Sequence, residues 1–312
     1  FRYASEFGFQ SFPSVKTLET VTDDPRELNP FSYVMEKHQR NYGGNGKIAK
    51  YMQAAYRYPE NFSNFVYASQ LLQADGIRYG VEHYRRNRGR CMGAIYWQLN
   101  DCWPVISWSS IDYYGRWKAL HYYAKRFFAP VMLSCEEQSW MTVEADMNRQ
   151  HFEFEKSIRL NVTNETLDAH KVLVKWAVRK TDATILREEE QWLEVPALSA
   201  VWMDKVELPQ IDCFNEYVSY EAWENDQIIS QGTVIFSYPK YFRYLNPGLT
   251  VRVDGDEIVV KAEAYAKSVE IRNANDDLIL EDNYFDMNAG EHRVKILDGK
   301  PDGLTVRSVY DI

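Results

Sequence analysis

Over the first 130 residues, short apolar runs break into loops and are separated by stretches of helical spacing; from about Val131 the period changes to two. The opening stretch, Arg2-Tyr3-Ala4-Ser5-Glu6-Phe7-Gly8-Phe9-Gln10-Ser11, puts a carboxylate where a strand gives way to a loop. A second run, Met92-Gly93-Ala94-Ile95-Tyr96-Trp97-Gln98-Leu99-Asn100-Asp101, is apolar at first and closes with Trp, amides and an acid. Both have the form of α/β-barrel strands, which present charged side chains at their carboxyl-terminal rim, where the active sites of such folds are built. Between them, Asn64 is the expected cap of a helix through Phe65, Ala68, Leu71, Leu72 and Asp75 to Tyr84. Its basic end, Arg85, Arg86 and Arg88, suits the negative pole of the helix and is expected to be solvated. Gly43-Gly44-Asn45-Gly46-Lys47 lacks the spacing of a phosphate loop and is expected to be a flexible surface loop.

The period-two part predicts strands at 139–146, 157–164, 172–179, 185–192, 201–208, 216–223 and 228–238, punctuated by Asn, Asp, Gly or Pro. Seven strands in so short a span predict a sandwich. Trp176, Trp192, Trp202 and Trp223 lie inside these strands and are expected in an inter-sheet core rather than on a sugar-binding surface. After a turn-rich joint at 238–248 a smaller β set follows at 249–253, 258–264, 269–273, 278–280, 292–297 and 304–309. A closed eight-fold barrel takes about 250 residues, whereas only about 130 precede the sandwich pattern. The expected fold class is therefore multidomain α/β plus all-β: the C-terminal part of a (β/α)8 barrel over 1–130, an immunoglobulin-like β-sandwich over 131–241, and a smaller immunoglobulin-like β domain over 242–312. The remaining barrel strands are expected from sequence upstream.

Composition narrows the chemistry. At 312 residues the chain exceeds what one core usually serves. A net charge of -9 argues against a nucleic-acid partner, because phosphate binding needs a concentrated positive surface, and no polyanion is expected. Aromatic residues make up 15% of the chain, which suits sugars, whose C–H faces pack on aromatic rings. Cys91, Cys102, Cys135 and Cys213 form no Cys-x-x-Cys pair and are expected as free, buried thiols. No histidine pair has metal-ligand spacing, so no metal or cofactor is expected. The triplets beginning at Asn61, Asn161 and Asn164 fit the glycosylation sequon but carry little weight. No run approaches the length of a membrane span; the compartment stays open.

Taken together, Ser5-Glu6-Phe7-Gly8-Phe9-Gln10-Ser11-Phe12-Pro13-Ser14, Tyr96-Trp97-Gln98-Leu99-Asn100-Asp101, Trp108, Gly115-Arg116-Trp117-Lys118-Ala119-Leu120-His121-Tyr122, Phe127-Phe128-Ala129-Pro130 and Asp282-Asn283-Tyr284-Phe285-Asp286 closely resemble the β-mannosidases of glycoside hydrolase family 2. The resemblance implies a retaining exo-β-mannosidase, with Glu6 as the nucleophile and a β-mannoside or manno-oligosaccharide as substrate. It also implies an acid/base Glu in an Asn-Glu pair on an earlier barrel strand, which no residue here matches. Asn164-Glu165 and Asn215-Glu216 fall in the predicted sandwich and are not candidates. Trp97 is expected to stack on the terminal sugar, and Asn100 and Asp101 to bond its hydroxyls or hold the loop. Lacking the acid/base, the chain by itself is expected to be inactive and to need the upstream segment as partner. The alternatives are another family 2 β-glycosidase, acting on galactoside, glucuronide or glucosaminide, or a non-catalytic carbohydrate-binding β-sandwich module.

Overall fold

The computed structural model describes residues 2–142 and 154–312. Two compact units divide the chain: one gathers the described parts of Phe1–Ala4, Gly80–Ala94 and Arg126–Leu245, the other Ser5–Tyr79, Ile95–Lys125 and Asn246–Ile312. The chain begins with β1 (Ala4–Phe7), passes through helices at Tyr33–Lys37, Gly44–Ala55 and Phe62–Arg86, and reaches β2 (Ala94–Tyr96) and the helix Ala119–Phe127. β1 and β2 pair. Their bonds advance in the same sense, Met92 N–H to the Arg2 carbonyl at 2.8 Å, Ala4 to Gly93 at 2.9 Å and Trp97 to Phe7 at 2.8 Å. The strands are therefore parallel, and a parallel pair requires a long crossover such as the helices supply.

Three local expectations for this part change. Helix Phe62–Arg86 is capped by Asn61, whose Oδ1 accepts the Asn64 N–H at 2.8 Å while its carbonyl takes the Phe65 N–H at 3.0 Å. Asn64 is thus a first-turn residue, because the apolar stripe starts one turn after the backbone does. The glycine-rich stretch is the start of helix Gly44–Ala55, with Gly43 capping it at φ +65°, and Asn45 is buried with its amide donating to the Pro30 carbonyl at 2.7 Å. The arginines at the helix end are not solvated. Arg85 Nη1 donates to the Phe127 carbonyl at 2.7 Å and Arg86 Nη1 to the Cys135 carbonyl at 3.2 Å. Glu165 pairs with Arg88 at 3.0 Å, and Glu82 with Arg86 at 3.5 Å. Guanidinium groups, weakly hydrated and rich in donors, serve here as buried clamps on backbone carbonyls.

The β-sandwich is built from β3 (Val131–Gln138), β4 (Ser157–Asn164), β5 (His170–Lys180), β6 (Ile185–Val195), β7 (Ser199–Trp202), β8 (Val206–Glu207), β9 (Glu216–Glu224) and β10 (Gln227–Ile235). One sheet has the order β10-β9-β5-β6; the other is β3-β4-β7, with β8 also on β4. Val172, Val174, Trp176 and Val178 alternate inward from β5 to meet Leu133 and Cys135 of β3 and Ile158, Leu160 and Val162 of β4. The strand expected at 139–146 is displaced: β3 pairs with β4 from Val131 opposite Asn164 to Gln138 opposite Ser157. The first five residues of β3 are all buried, so the alternation that marks a half-exposed strand is missing. Residues 139–142 form a turn, and 143–146 lie outside the described residues. The run at 201–208 is split into β7 and β8.

Trp192 leaves the expected core and is 57% exposed. Leu193 and Val195 take the inward face of β6, so parity turns Trp192 outward opposite Leu173, where the Lys171 ammonium lies 5.1 Å from its ring. Trp176 is buried as expected, while Trp202 and Trp223 are half-buried.

The last strands are β11 (Thr250–Asp254), β12 (Glu257–Ala262), β13 (Ala266–Arg272), β14 (Ile279–Leu280), β15 (Phe285–Met287), β16 (Gly290–Asp298) and β17 (Thr305–Arg307), in sheets ordered β11-β12-β16-β14 and β15-β13-β17. β15 escapes the sequence pattern because it is only three residues long. The Asp282 to Asp286 motif braces β13: the Asn283 amide accepts the Ile271 N–H at 2.8 Å and donates to its carbonyl at 2.9 Å, and Asp286 accepts the Ser268 N–H at 2.8 Å.

Cys91 and Cys135 are buried free thiols, Cys213 is half-buried, and Cys102 is exposed because it sits on a surface loop. Asn161 and Asn164 are fully buried, and the Asn164 amide donates to the Asp168 and Pro196 carbonyls, so both are structural. Among the described residues no helix is long and apolar enough to cross a membrane.

Candidate active site

Glu6 stands near the carboxyl end of β1 with an exposed side chain, and among the described residues its carboxylate has no hydrogen-bond or ion-pair partner. Beyond it the chain needs a glycine. A Cβ at Gly8 would stand 2.5 Å from the Trp97 carbonyl oxygen and 2.9 Å from Cδ1 of Trp108, so only a residue without one lets the exit of β1 run against the exit of β2.

Helix Phe62–Arg86 holds this exit with amides and hydroxyls set into its buried face. Gln73 accepts the Ser11 hydroxyl at 2.6 Å and donates to the carbonyls of Phe9 at 2.8 Å and Trp108 at 3.0 Å. Ser69 accepts the Phe12 N–H at 3.1 Å, and Gln70 donates to the Phe12 carbonyl at the same distance. A loop with so many backbone groups to satisfy stays in one conformation only when each has a partner. Residues 69, 70 and 73 were absent from the site expected from sequence. The available signal was polar side chains at i, i+1 and i+4 on an otherwise apolar helix face.

Trp97 follows β2 and is 47% exposed, with its N–H bonded back to Phe7; the Trp97–Gln98 peptide is cis. Gln98 organises the next loop: its amide donates to the Asn100 carbonyl at 2.8 Å and to Asp101 Oδ1 at 3.0 Å. Asp101 Oδ1 also accepts the Ser107 hydroxyl at 2.7 Å, while Oδ2 is buried without a hydrogen bond. Asp101 is thus committed to holding the loop, and the exposed Asn100 sits on the loop it holds. Tyr96 donates or accepts at Ser110 Oγ, 2.8 Å away, and burial pushes its phenol up from the ordinary range. His121 Nδ1 meets the same Oγ at 3.2 Å, and burial lowers its pKa. Trp117 packs edge-on to His121 and Tyr122, its ring 4.5 Å and 5.3 Å from theirs, and so belongs to the framework. The two Asn-Glu pairs of the sandwich are also structural: Glu165 pairs with Arg88, and Glu216 accepts the Asp212 N–H at 3.0 Å.

The arrangement offers one exposed carboxylate and one exposed indole at the carboxyl ends of two adjacent parallel strands, the place where α/β folds gather reactive and ligand-binding groups.

Comparison with known proteins agrees in kind. A family model described as the mannosidase Ig/CBM-like domain matches residues 156–241, and one described as the Ig-fold domain of mannosidase type matches 244–312. Beta-mannosidase B of Thermothelomyces thermophilus is 29% identical over 93% of this chain and 36% of its own length. Beta-mannosidase of Capra hircus is 38% identical, over 42% of this chain and 16% of its own. Among solved structures, the beta-D-mannosidase of Dictyoglomus thermophilum superposes with a TM-score of 0.83 at 24% identity over 98% of this chain and 37% of that one. An exo-chitosanase of Amycolatopsis orientalis gives 0.66 at 17%, over 96% and 42%. These likenesses give the chain immunoglobulin-like β domains similar to those of mannosidases, and a fold similar to that of a beta-D-mannosidase and of an exo-chitosanase. It resembles part of a β-mannosidase over nearly its whole length. It spans little more than a third of the relatives that match it nearly end to end.

Proposed function

We propose that the chain is the C-terminal portion of a retaining exo-β-mannosidase that removes terminal β-D-mannose. The observation that carries this reading is Glu6, exposed at the carboxyl end of β1 next to the exposed Trp97 that follows β2. Residues 1–130 then form the end of a (β/α)8 barrel, followed by immunoglobulin-like domains over 131–241 and 242–312. In the double displacement, Glu6 attacks the anomeric carbon and forms a covalent mannosyl ester while a second carboxyl protonates the departing glycosidic oxygen. That carboxyl, about 5 to 5.5 Å away in retaining enzymes, then deprotonates a water that hydrolyses the ester and frees Glu6. The second carboxyl comes from outside these 312 residues, so the isolated chain does not turn over substrate. Trp97 packs on the apolar face of the bound mannose, and Asn100 bonds a hydroxyl from the loop that Asp101 holds.

The test is made in the full-length enzyme. A 2-deoxy-2-fluoro-mannosyl fluoride should label Glu6, and Glu6→Gln should lower turnover by several orders of magnitude with the fold intact. Labelling of another residue, or near-normal turnover by the variant, refutes the assignment. The likeness to an exo-chitosanase supports the scaffold and not the sugar, so a panel of aryl glycosides decides that point: faster hydrolysis of β-galactosides or β-glucosaminides keeps the mechanism and discards mannose.

A further inference from the structure

Lys118 is buried, with 1% of its surface exposed, on the stretch that leads into helix Ala119–Phe127. Its backbone N–H donates to the Ser110 carbonyl at 2.9 Å, and its ammonium donates to the Ser11 carbonyl at 3.3 Å. Ser11 lies on the exit of β1, five residues beyond Glu6. There its N–H donates to the Ser107 carbonyl at 3.0 Å, while the Ser107 hydroxyl holds Asp101. Among the described residues, the one side-chain bond of Lys118 thus falls on the seam where the Glu6 loop meets the Asp101 loop. An ammonium has three donors, and burying one is costly unless opposite charge lies near. Asp101, whose Oδ2 has no hydrogen bond, and Asp112 are the two carboxylates that act on it.

We infer that Lys118, in its charged form, is a positioning residue that locks the loop carrying the nucleophile to the loop carrying Asn100 and Asp101. The inference rests on the glycosidase reading of Glu6 and Trp97. A neutral amine in the same place keeps the packing but gives up the charge that offsets Asp101, and the seam loosens. The remaining charged neighbours do not take over this role. Asp112 is engaged by the Thr17 hydroxyl at 2.5 Å and by the N–H groups of Tyr114 and Arg116 at 3.0 Å each. Arg116 itself bonds Thr17 Oγ1 at 3.3 Å, and His121 is kept toward its neutral form by burial. Burial brings the ammonium of Lys118 down to about 7, with Asp101 and Asp112 opposing the shift. The lock therefore holds below about pH 7 and opens above it.

The test uses the full-length enzyme with 2,4-dinitrophenyl β-mannoside, whose leaving group departs without protonation. The ionisation of the acid/base carboxyl then drops out of kcat/KM, and a remaining fall above about pH 7 reports Lys118. The wild type should show that fall. Lys118→Met should show a flat alkaline side and a plateau lowered by about 100-fold, the effect of a small displacement in a catalytic geometry. A wild type without the alkaline fall, or a variant with the same fall, overturns the inference, and the wild-type profile decides it even where the variant does not fold. Labelling of Glu6 by the fluorinated mannoside, run in parallel on the wild type, separates this failure from failure of the glycosidase reading.

Discussion

If Lys118 is retained for position, it should cost stability. Its pKa falls from 10.5 to about 7, a drop of about 3.5 units, and at about 1.4 kcal/mol per unit the native state carries an upper-bound penalty of about 5 kcal/mol for the buried charge. The unfolded chain binds the proton up to about pH 10.5 and the native state only to about pH 7. The penalty is therefore full below pH 7 and shrinks as pH rises through that window, where the unfolded state holds more protons. Methionine has nearly the same length and volume, and such exchanges usually cost less than about 1.5 kcal/mol in packing. Lys118→Met should thus stabilise the protein by about 2 to 4 kcal/mol at pH 6, and the gain should fall by about 1.4 kcal/mol per unit between pH 7 and pH 10. Urea unfolding of wild type and variant at pH 6 and pH 9, followed by tryptophan fluorescence, measures both. A gain independent of pH refutes the reasoning, since it means that Lys118 titrates alike in the folded and unfolded states; a variant less stable than wild type at pH 6 refutes it too, since it means that Asp101 and Asp112 more than compensate the ammonium.

Gly8→Ala forces apart the exits of β1 and β2, because the added Cβ meets a backbone carbonyl at 2.5 Å; it should cost about 1 to 3 kcal/mol and at least tenfold in kcat, measured by melting and by aryl mannoside hydrolysis. Arg86→Met removes the cation that pairs with the buried Glu82 and a donor to the Cys135 carbonyl. It should destabilise by about 3 kcal/mol, with much of the loss recovered in the Glu82→Gln, Arg86→Met double variant in urea melts. Trp97→Ala should raise KM for aryl mannosides by about tenfold while leaving the urea midpoint within experimental scatter, because the indole is half exposed; an unchanged KM removes Trp97 from the sugar site.

Period and punctuation in the sequence were sufficient for most of the longer strands. β4 runs over the predicted 157–164, and β5, β9, β12 and β16 fall within about two residues of prediction, because short apolar and β-branched runs bounded by turn residues mark a strand whether or not one of its faces is wet. The exposed positions of Glu6 and Trp97 just past apolar runs were legible in the same way, while the roles proposed for them rest on the family resemblance. β3 spans 131–138, ahead of the expected 139–146, and Trp192, expected in the core from its place inside a strand, is turned outward by its parity with Leu193. Which arginines are buried, which glycine faces a carbonyl, and that Gln73, Ser107 and Lys118 tie the two candidate loops together are properties of residues far apart in sequence. Local pattern records what each segment can bury on its own. Only the tertiary structure decides which backbone carbonyls are left for a distant donor to satisfy, and so which polar residues hold the site.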